Sequence, residues 1–281
     1  MNSHFVWDAS RVIFEIPLHF FTLPIRWYSL LFATGLFGGY FILKKMFQAE
    51  QKPLEALEVL PTYIVIATLV GARLGHTLFY EPSRYLSNPL EILMIWKGGL
   101  ASHGGFIAVI LAFYLYARKY REHFSLFWIL DRAAIAAMFA SGCIRVGNFF
   151  NSEITGLKTY VPWAVVFKNN DLIPRHPAQL YEAMGYFWLC ITFYFVYRQL
   201  KREVPEGMIF GMILVVGMGY RLFIEQFKEN QVAFEQGMAL NMGQLLSIPF
   251  IVFGIYFSLC LHHRSKFWQR FVDTRRETRQ N

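Results

Sequence analysis

Charge is what this sequence has least of. Lys, Arg, Asp and Glu together make up 16% of its 281 residues, where a soluble domain carries about 25%. That is too little to coat a water-facing surface, which excludes an ordinary soluble enzyme of this length. Cysteine is scarce as well. Cys143, Cys190 and Cys260 are odd in number, dispersed and set in apolar segments, so they form no disulfide framework and show no metal-ligand spacing. They read as packing residues. Acidic residues are outnumbered, 19 against 27 basic ones, but in a membrane protein such an excess marks cytoplasmic loops rather than nucleic-acid binding. Nucleotide and metal motifs are missing, as are the repeats many transporters carry and the Gly-x-Ser-x-Gly elbow of a hydrolase. The first ten residues are polar without a basic start, so no cleavable signal peptide is expected and the first apolar run should stay as an anchor.

Apolar residues are abundant, 55% of the chain, with 18% aromatic. They fall into runs near the roughly 20 residues that a membrane span requires. Seven spans are expected at about 27–47, 61–81, 98–119, 125–147, 183–200, 207–227 and 243–262. A half-apolar segment, Leu86 to Trp96, reads as an interfacial helix. The fold class expected is therefore an all-α integral membrane protein, one polytopic domain over 1–262, followed by a basic tail over 263–281. Basic residues follow the first, third, fifth and seventh spans, from Lys44 and Lys45 through Arg118 and Arg198 to Arg264 and beyond. The positive-inside rule then places the N-terminus outside and the C-terminus in the cytoplasm. The longest loop, about 148–182, falls outside. Its stretch Trp163-Ala164-Val165-Val166-Phe167 alternates as one or two short strands, a small extracytoplasmic head.

Ionisable groups inside spans are costly and mark function by default. Arg73, Asp131, Arg132, Arg145, Arg221 and Glu225 lie in or at the edge of apolar helices. Four arginines against few carboxylates call for an anion, and the guanidinium fork matches phosphate oxygens. A phospholipid head group is the natural resident. The stretch from Arg145 to Gly156 holds Asn148, Asn151, Glu153 and two glycines; it is either a polar helix end or a ligand-facing loop. His103, followed by Gly104 and Gly105, is either a packing histidine or a general base beside a backbone that a ligand can approach. Arg221 and Glu225 are spaced i,i+4 on one helical face, an ion pair compatible with a phosphate contact. Arg26-Trp27-Tyr28 opens the first span at an interfacial belt. Gln179, Tyr181 and Glu182 either cap the fifth span or line a site.

Together these segments resemble the prolipoprotein diacylglyceryl transferase family. The carriers are Arg145 followed by Gly147-Asn148-Phe149, Asn151-x-Glu153 and Gly156; Arg26-Trp27-Tyr28; Gly71-Ala72-Arg73-Leu74-Gly75; His103-Gly104-Gly105; His176-Pro177 with Gln179-Leu180-Tyr181-Glu182; Arg221 with Glu225; and Met242-Gly243-Gln244-Leu245-Leu246-Ser247-Ile248-Pro249. They run in family order over roughly 20–260. Ser29, Ile144, Ala178 and Lys228 depart from the residues usual in the family, Lys228 standing where Arg is common.

The resemblance implies an enzyme of the bacterial cytoplasmic membrane that moves diacylglyceryl from phosphatidylglycerol to the lipobox cysteine of a prolipoprotein signal peptide. It implies a site toward the outer face, with neither cofactor nor metal required. His103 is expected as base for the thiol, with Glu153 as a second base or an orienter of an arginine. Arg145 and Arg221 are expected to stabilise the leaving phosphate, with Tyr28, Asn148, Asn151 and Gly156 in the same site. Arg73, Gln179, Tyr181 and Glu225 complete the expected binding residues. The alternative is a transporter or flippase for an anionic lipid or solute, which would spread polar residues through the full bilayer depth.

Overall fold

A computed structural model of the protein describes residues 4–17, 19, 22–94, 98–99, 101–200, 205–229 and 237–260. The basic tail over 263–281 lies outside the described residues, as do Trp96 and its neighbours in the expected interfacial helix.

The described chain is mostly helical. The helices are α1 (Trp27–Ala49), α2 (Leu54–Phe79), the short α3 (Pro82–Ser87), α4 (Ser102–Lys119), α5 (Leu126–Asn151), α6 (Ala178–Leu200), α7 (Met208–Ile224) and α8 (Met242–Cys260). Five of them, α1, α2, α5, α7 (continued to Phe227) and α8, are long and apolar enough to cross a membrane. Large apolar side chains stand out along their faces, among them Phe37 and Phe41 on α1 and Val252 and Leu259 on α8. Such a surface is paid for in water but not in lipid. The span expected at about 61–81 begins earlier, with α2 starting at Leu54. Pro61 lies inside α2, early enough in the helix that its missing N–H interrupts only one bond near the start.

The chain divides into two compact units, and the division falls within α1 and α5: Leu43–Leu130 form one, Met1–Ile42 with Asp131–Asn281 the other. In the first, α2 and α4 meet through glycine. A Cβ on Gly104 would lie 2.7 Å from the Gly75 Cα, and one on Gly71 would lie 2.5 Å from the Gly104 carbonyl oxygen. Small residues four apart let helix backbones approach this closely. The Ala101 amide donates to the Ala72 carbonyl at 2.9 Å, which fixes the start of α4 against α2. Gly104 is therefore filled by α2 rather than left open for a ligand.

In the second unit, Asp131 on α5 starts α7. Its carboxylate accepts from the amides of Gly207 at 2.7 Å and Phe210 at 2.8 Å, satisfying donors that a helix N-terminus leaves without partners. Arg132 lies over the Tyr197 ring and 3.6 Å from Asp131. These two intramembrane charges thus serve helix packing.

Among its described residues the same unit carries five strands. The expected strand near 163–167 is β4 (Val165–Phe167), fully buried and paired antiparallel with β5 (Pro174–Arg175). Its other neighbour, β1 (Phe5–Trp7), runs parallel to it in the order β1-β4-β5. Phe149, Val165 and Phe167 form the core here, with Trp7 and Leu180 packed on it. A separate hairpin, β2 (Val12–Pro17) with β3 (Thr22–Arg26), leads directly into α1.

Candidate active site

The polar residues at the end of α5 are organised by the backbone. α5 stops at Asn151, and Ser152 and Ile154 both take left-handed φ of 57°. The Glu153 amide returns to the Asn148 carbonyl at 2.9 Å, so the chain curls back under its own helix end. That curl brings four side chains into line. Arg145 donates to the Asn148 amide oxygen at 3.3 Å, Asn148 donates to Glu153 at 3.2 Å, and Asn151 donates to the other Glu153 oxygen at 3.1 Å. Asn148 is buried while Glu153 is exposed. A carboxylate is thereby held at the surface in a fixed orientation.

Gly156 closes the stretch by contact. A Cβ there would lie 2.6 Å from the His176 Cβ and 2.7 Å from the Phe227 carbonyl oxygen. The Gly156 amide donates to His176 at 3.0 Å and that of Leu157 to Phe227 at 2.8 Å. The bare backbone is what permits the loop to lie between these two strands of chain. From α6, the fully buried Gln179 donates to the Glu153 carbonyl at 2.6 Å.

Beneath the loop is a buried ionic cluster. Arg145 Nε lies 2.9 Å from Glu182 on α6, whose side chain is fully buried. The contact is one of charge, since the Nε–H is not aimed along it. Lys228 Nζ donates to Glu182 at 2.9 Å and to Glu225 at 2.8 Å. Arg221 Nε lies 3.7 Å from Glu225, beyond hydrogen-bond reach, and its side chain stays one-third exposed. Asn241 donates to the second Glu225 oxygen at 3.4 Å. Gly243 leaves room for that carboxylate, because a Cβ there would fall 2.5 Å from it.

On the loop side, Arg175 donates to Asp171 at 2.6 Å and to Glu229 at 3.0 Å. The Arg175 guanidinium holds the Asp171 carboxyl below the usual carboxylate range, and burial pushes the His176 imidazole down. The Tyr181 hydroxyl joins His176 at 3.1 Å and accepts from Trp163 at 2.7 Å. Tyr28 packs on Gly147, where an added Cβ would touch its ring at 3.0 Å.

One unit thus gathers Tyr28, Arg145, Asn148, Asn151, Glu153, Gly156, Gln179, Tyr181, Arg221 and Glu225. Beside them, between α6 and α7, runs an apolar groove of about 440 Å³, lined by Met184, Gly185, Trp188, Leu189, Val216 and Tyr220. His103 and Arg73 belong to the other unit. His103 lies at the first turn of α4 with its ring 5.7 Å from that of Tyr80. Arg73, 3% exposed, donates to backbone carbonyls of Ile92 at 2.8 Å, Gly98 at 2.5 Å and Glu91. Its fork holds the Glu91 and Ile92 carbonyls together with that of Gly98.

The family model of prolipoprotein diacylglyceryl transferase matches residues 14–260. The chain belongs to that family. It is 44% identical over 253 residues to the phosphatidylglycerol–prolipoprotein diacylglyceryl transferase of Tolumonas auensis, covering 90% of this chain and 96% of the relative. A protein of the same name from Chloroherpeton thalassium is 41% identical over 254 residues, 90% of this chain and 93% of the relative. Another from Bacteroides fragilis is 40% identical over 263 residues, 89% and 93%. With its apolar helices, this diacylglyceryl transferase is a multi-pass membrane protein.

Sequence reasoning did not find two members of the ionic cluster. Glu182 was left, with Gln179 and Tyr181, as either a helix cap or part of a site lining, and Lys228 entered only as a departure from the family. A signal was present in both cases. A carboxylate opening an apolar helix needs a buried cation, and Glu225 followed by Lys228 is an i,i+3 pair.

Proposed function

We propose that this diacylglyceryl transferase takes its acyl-bearing group from phosphatidylglycerol and places it on the lipobox cysteine of a prolipoprotein. The thiolate attacks the glyceryl carbon that carries the phosphate. A C–S bond forms, the C–O bond to phosphate breaks, and glycerol phosphate leaves with the electron pair. The thiol proton passes to a base.

The observation that carries this reading is the pair Arg145 and Arg221, set on a shared buried carboxylate cluster with their own side chains still partly exposed. Two guanidinium groups in a partly dry site suit a phosphate whose charge grows as the bond breaks. The adjoining apolar groove has the lining an acyl chain needs. A thiol with an ordinary pKa near 8.5 needs help to ionise. Glu153, oriented by Asn148 and Asn151, and His103 are the two bases assigned. Tyr28 and Gly156 shape the site, and Gln179 and Tyr181 support its loop.

The seven long helices serve as spans in the bacterial cytoplasmic membrane, with the N-terminus outside and the C-terminus inside. The 148–182 loop forms the outer head above the site. Both substrates reach it from the bilayer, since both are membrane-anchored.

The test is transfer of labelled diacylglyceryl from phosphatidylglycerol to a lipobox peptide by the purified protein. Wild type is expected to transfer, and Arg145→Ala and Arg221→Ala to lose at least about 100-fold, as expected for removal of a transition-state charge contact. His103→Gln and Glu153→Gln separate the two bases. A well-folded wild type that transferred nothing would end the reading.

A further inference from the structure

Among the described residues, five ionised groups alternate in sign along one line of contacts: Arg145, Glu182, Lys228, Glu225, Arg221. Its three middle members are buried, with side chains 0%, 3% and 7% exposed. Its two ends, the arginines, are 17% and 33% exposed. Three cations therefore stand against two carboxylates. Glu153 connects through Asn148, but it is exposed and screened by solvent. Arg175 is matched separately by Asp171 and Glu229.

A buried assembly with surplus charge is unfavourable until a counter-ion completes it. Here the surplus is one positive charge, and it reaches the surface through two guanidinium groups. Lys228 supplies it. Without Lys228, each arginine would have one carboxylate to itself and nothing would be left for a ligand.

We infer that Lys228 is a specificity-determining residue: it leaves the arginine clamp one positive charge in surplus, which selects lipids whose phosphodiester head group carries a net single negative charge over zwitterionic ones. The inference rests on the phosphatidylglycerol reading above. A monoanionic phosphodiester neutralises the line. A choline head group brings the same phosphate with its own cation, which leaves the surplus unbalanced and sets like charges side by side. Lys228 does not touch the ligand; it acts through Glu182 and Glu225 on the two arginines.

The full-length protein, purified in non-ionic detergent, is given phosphatidylglycerol and phosphatidylcholine in competition, and the bound ratio is measured. Lys228→Met makes the line neutral, and preference for phosphatidylglycerol should fall by about tenfold or more, the scale of one charge interacting at these distances. Lys228→Arg keeps the charge and should keep the preference. Lys228→Met combined with Glu225→Gln restores the single surplus charge and should recover most of it. Glu225→Gln alone raises the surplus to two and should tighten inhibition by glycerol phosphate, a gain that damage to the fold does not produce. An unchanged ratio in Lys228→Met, no recovery in the double variant, or no tightening in Glu225→Gln would each overturn the inference. Transfer is measured beside binding. Wild-type transfer with a flat selectivity series would sink the charge assignment alone, and absence of wild-type transfer would sink the reading beneath it.

Discussion

The Gln179 side chain donates to the Glu153 carbonyl across 2.6 Å, tying the first turn of α6 to the loop that follows α5. That loop turns through two left-handed non-glycine residues, Ser152 and Ile154, a conformation that persists only where the surroundings hold it. Gln179→Leu leaves the Glu153 carbonyl without its donor, at a cost of about 1–3 kcal/mol. The low end is expected, because the buried Gln179 Oε1, which lacks a partner among the described residues, is removed as well. Thermal unfolding should fall modestly and diacylglyceryl transfer more steeply, as Glu153 loses its orientation. A full transfer rate in Gln179→Leu would show that the tie has no role in the site.

The same loop should loosen on acidification, in two steps of known sign. His176 has a folded pKa below its unfolded value, so its contribution is present above the ordinary value of about 6.5 and is lost as pH falls below it. Asp171 is depressed by the Arg175 guanidinium, so its contribution is present above about 4 and is lost as pH falls through its lower folded value. Amide exchange over 155–176, followed from pH 7 to pH 3, should show both. Asp171→Asn should abolish the lower step and leave the upper one. If both steps survive in Asp171→Asn, the assignment to the Arg175 pair fails.

Asp131 belongs to the fold rather than to the chemistry. Its two oxygens each hold a different amide at the start of α7. Asp131→Ala should cost about 1–2 kcal/mol as a lost cap, and somewhat more for the buried Arg132 left beside it. Asp131→Asn, which keeps one acceptor, should cost less. The rate of transfer per folded molecule should hold in both, measured after quantifying folded protein by size-exclusion chromatography. A rate that collapsed at unchanged stability would place Asp131 in the reaction instead.

The five long apolar helices were legible because the apolar composition of each is continuous, whereas the short α3 carried no such signal. The strand at Val165–Phe167 was legible from its alternation. Its partner Phe5–Trp7 was not: the two run parallel across some 160 positions, and no local pattern encodes a pairing that distant. The signature loop was found because its polar identities are close in sequence. The ionic cluster beneath it draws on α5, α6 and the end of α7, so the local signals at Glu182 and Lys228 could not show that the two meet each other, which only the packed helices do. The role of Gly104 stayed open for the same reason, since a glycine that admits a ligand and one that admits a helix look alike in a sequence.

Arg73 gives the sharpest contrast between expectation and geometry. Its place in an apolar helix suggested a phosphate ligand, yet its guanidinium is directed at the carbonyls of Glu91, Ile92 and Gly98, with the Tyr85 ring 5.0 Å from its Cζ. Holding three carbonyls at once requires the planar fork, which a lysine ammonium cannot reproduce. A phosphate contact asks mainly for charge. Arg73→Lys should therefore behave like Arg73→Met: both lose exchange protection over 89–94 and lose activity together, by a structural cost of about 2–4 kcal/mol in hydrogen bonds to a charged group. If Arg73→Lys instead retains most of the transfer rate while Arg73→Met does not, charge is what the position supplies, and Arg73 returns to the list of phosphate ligands.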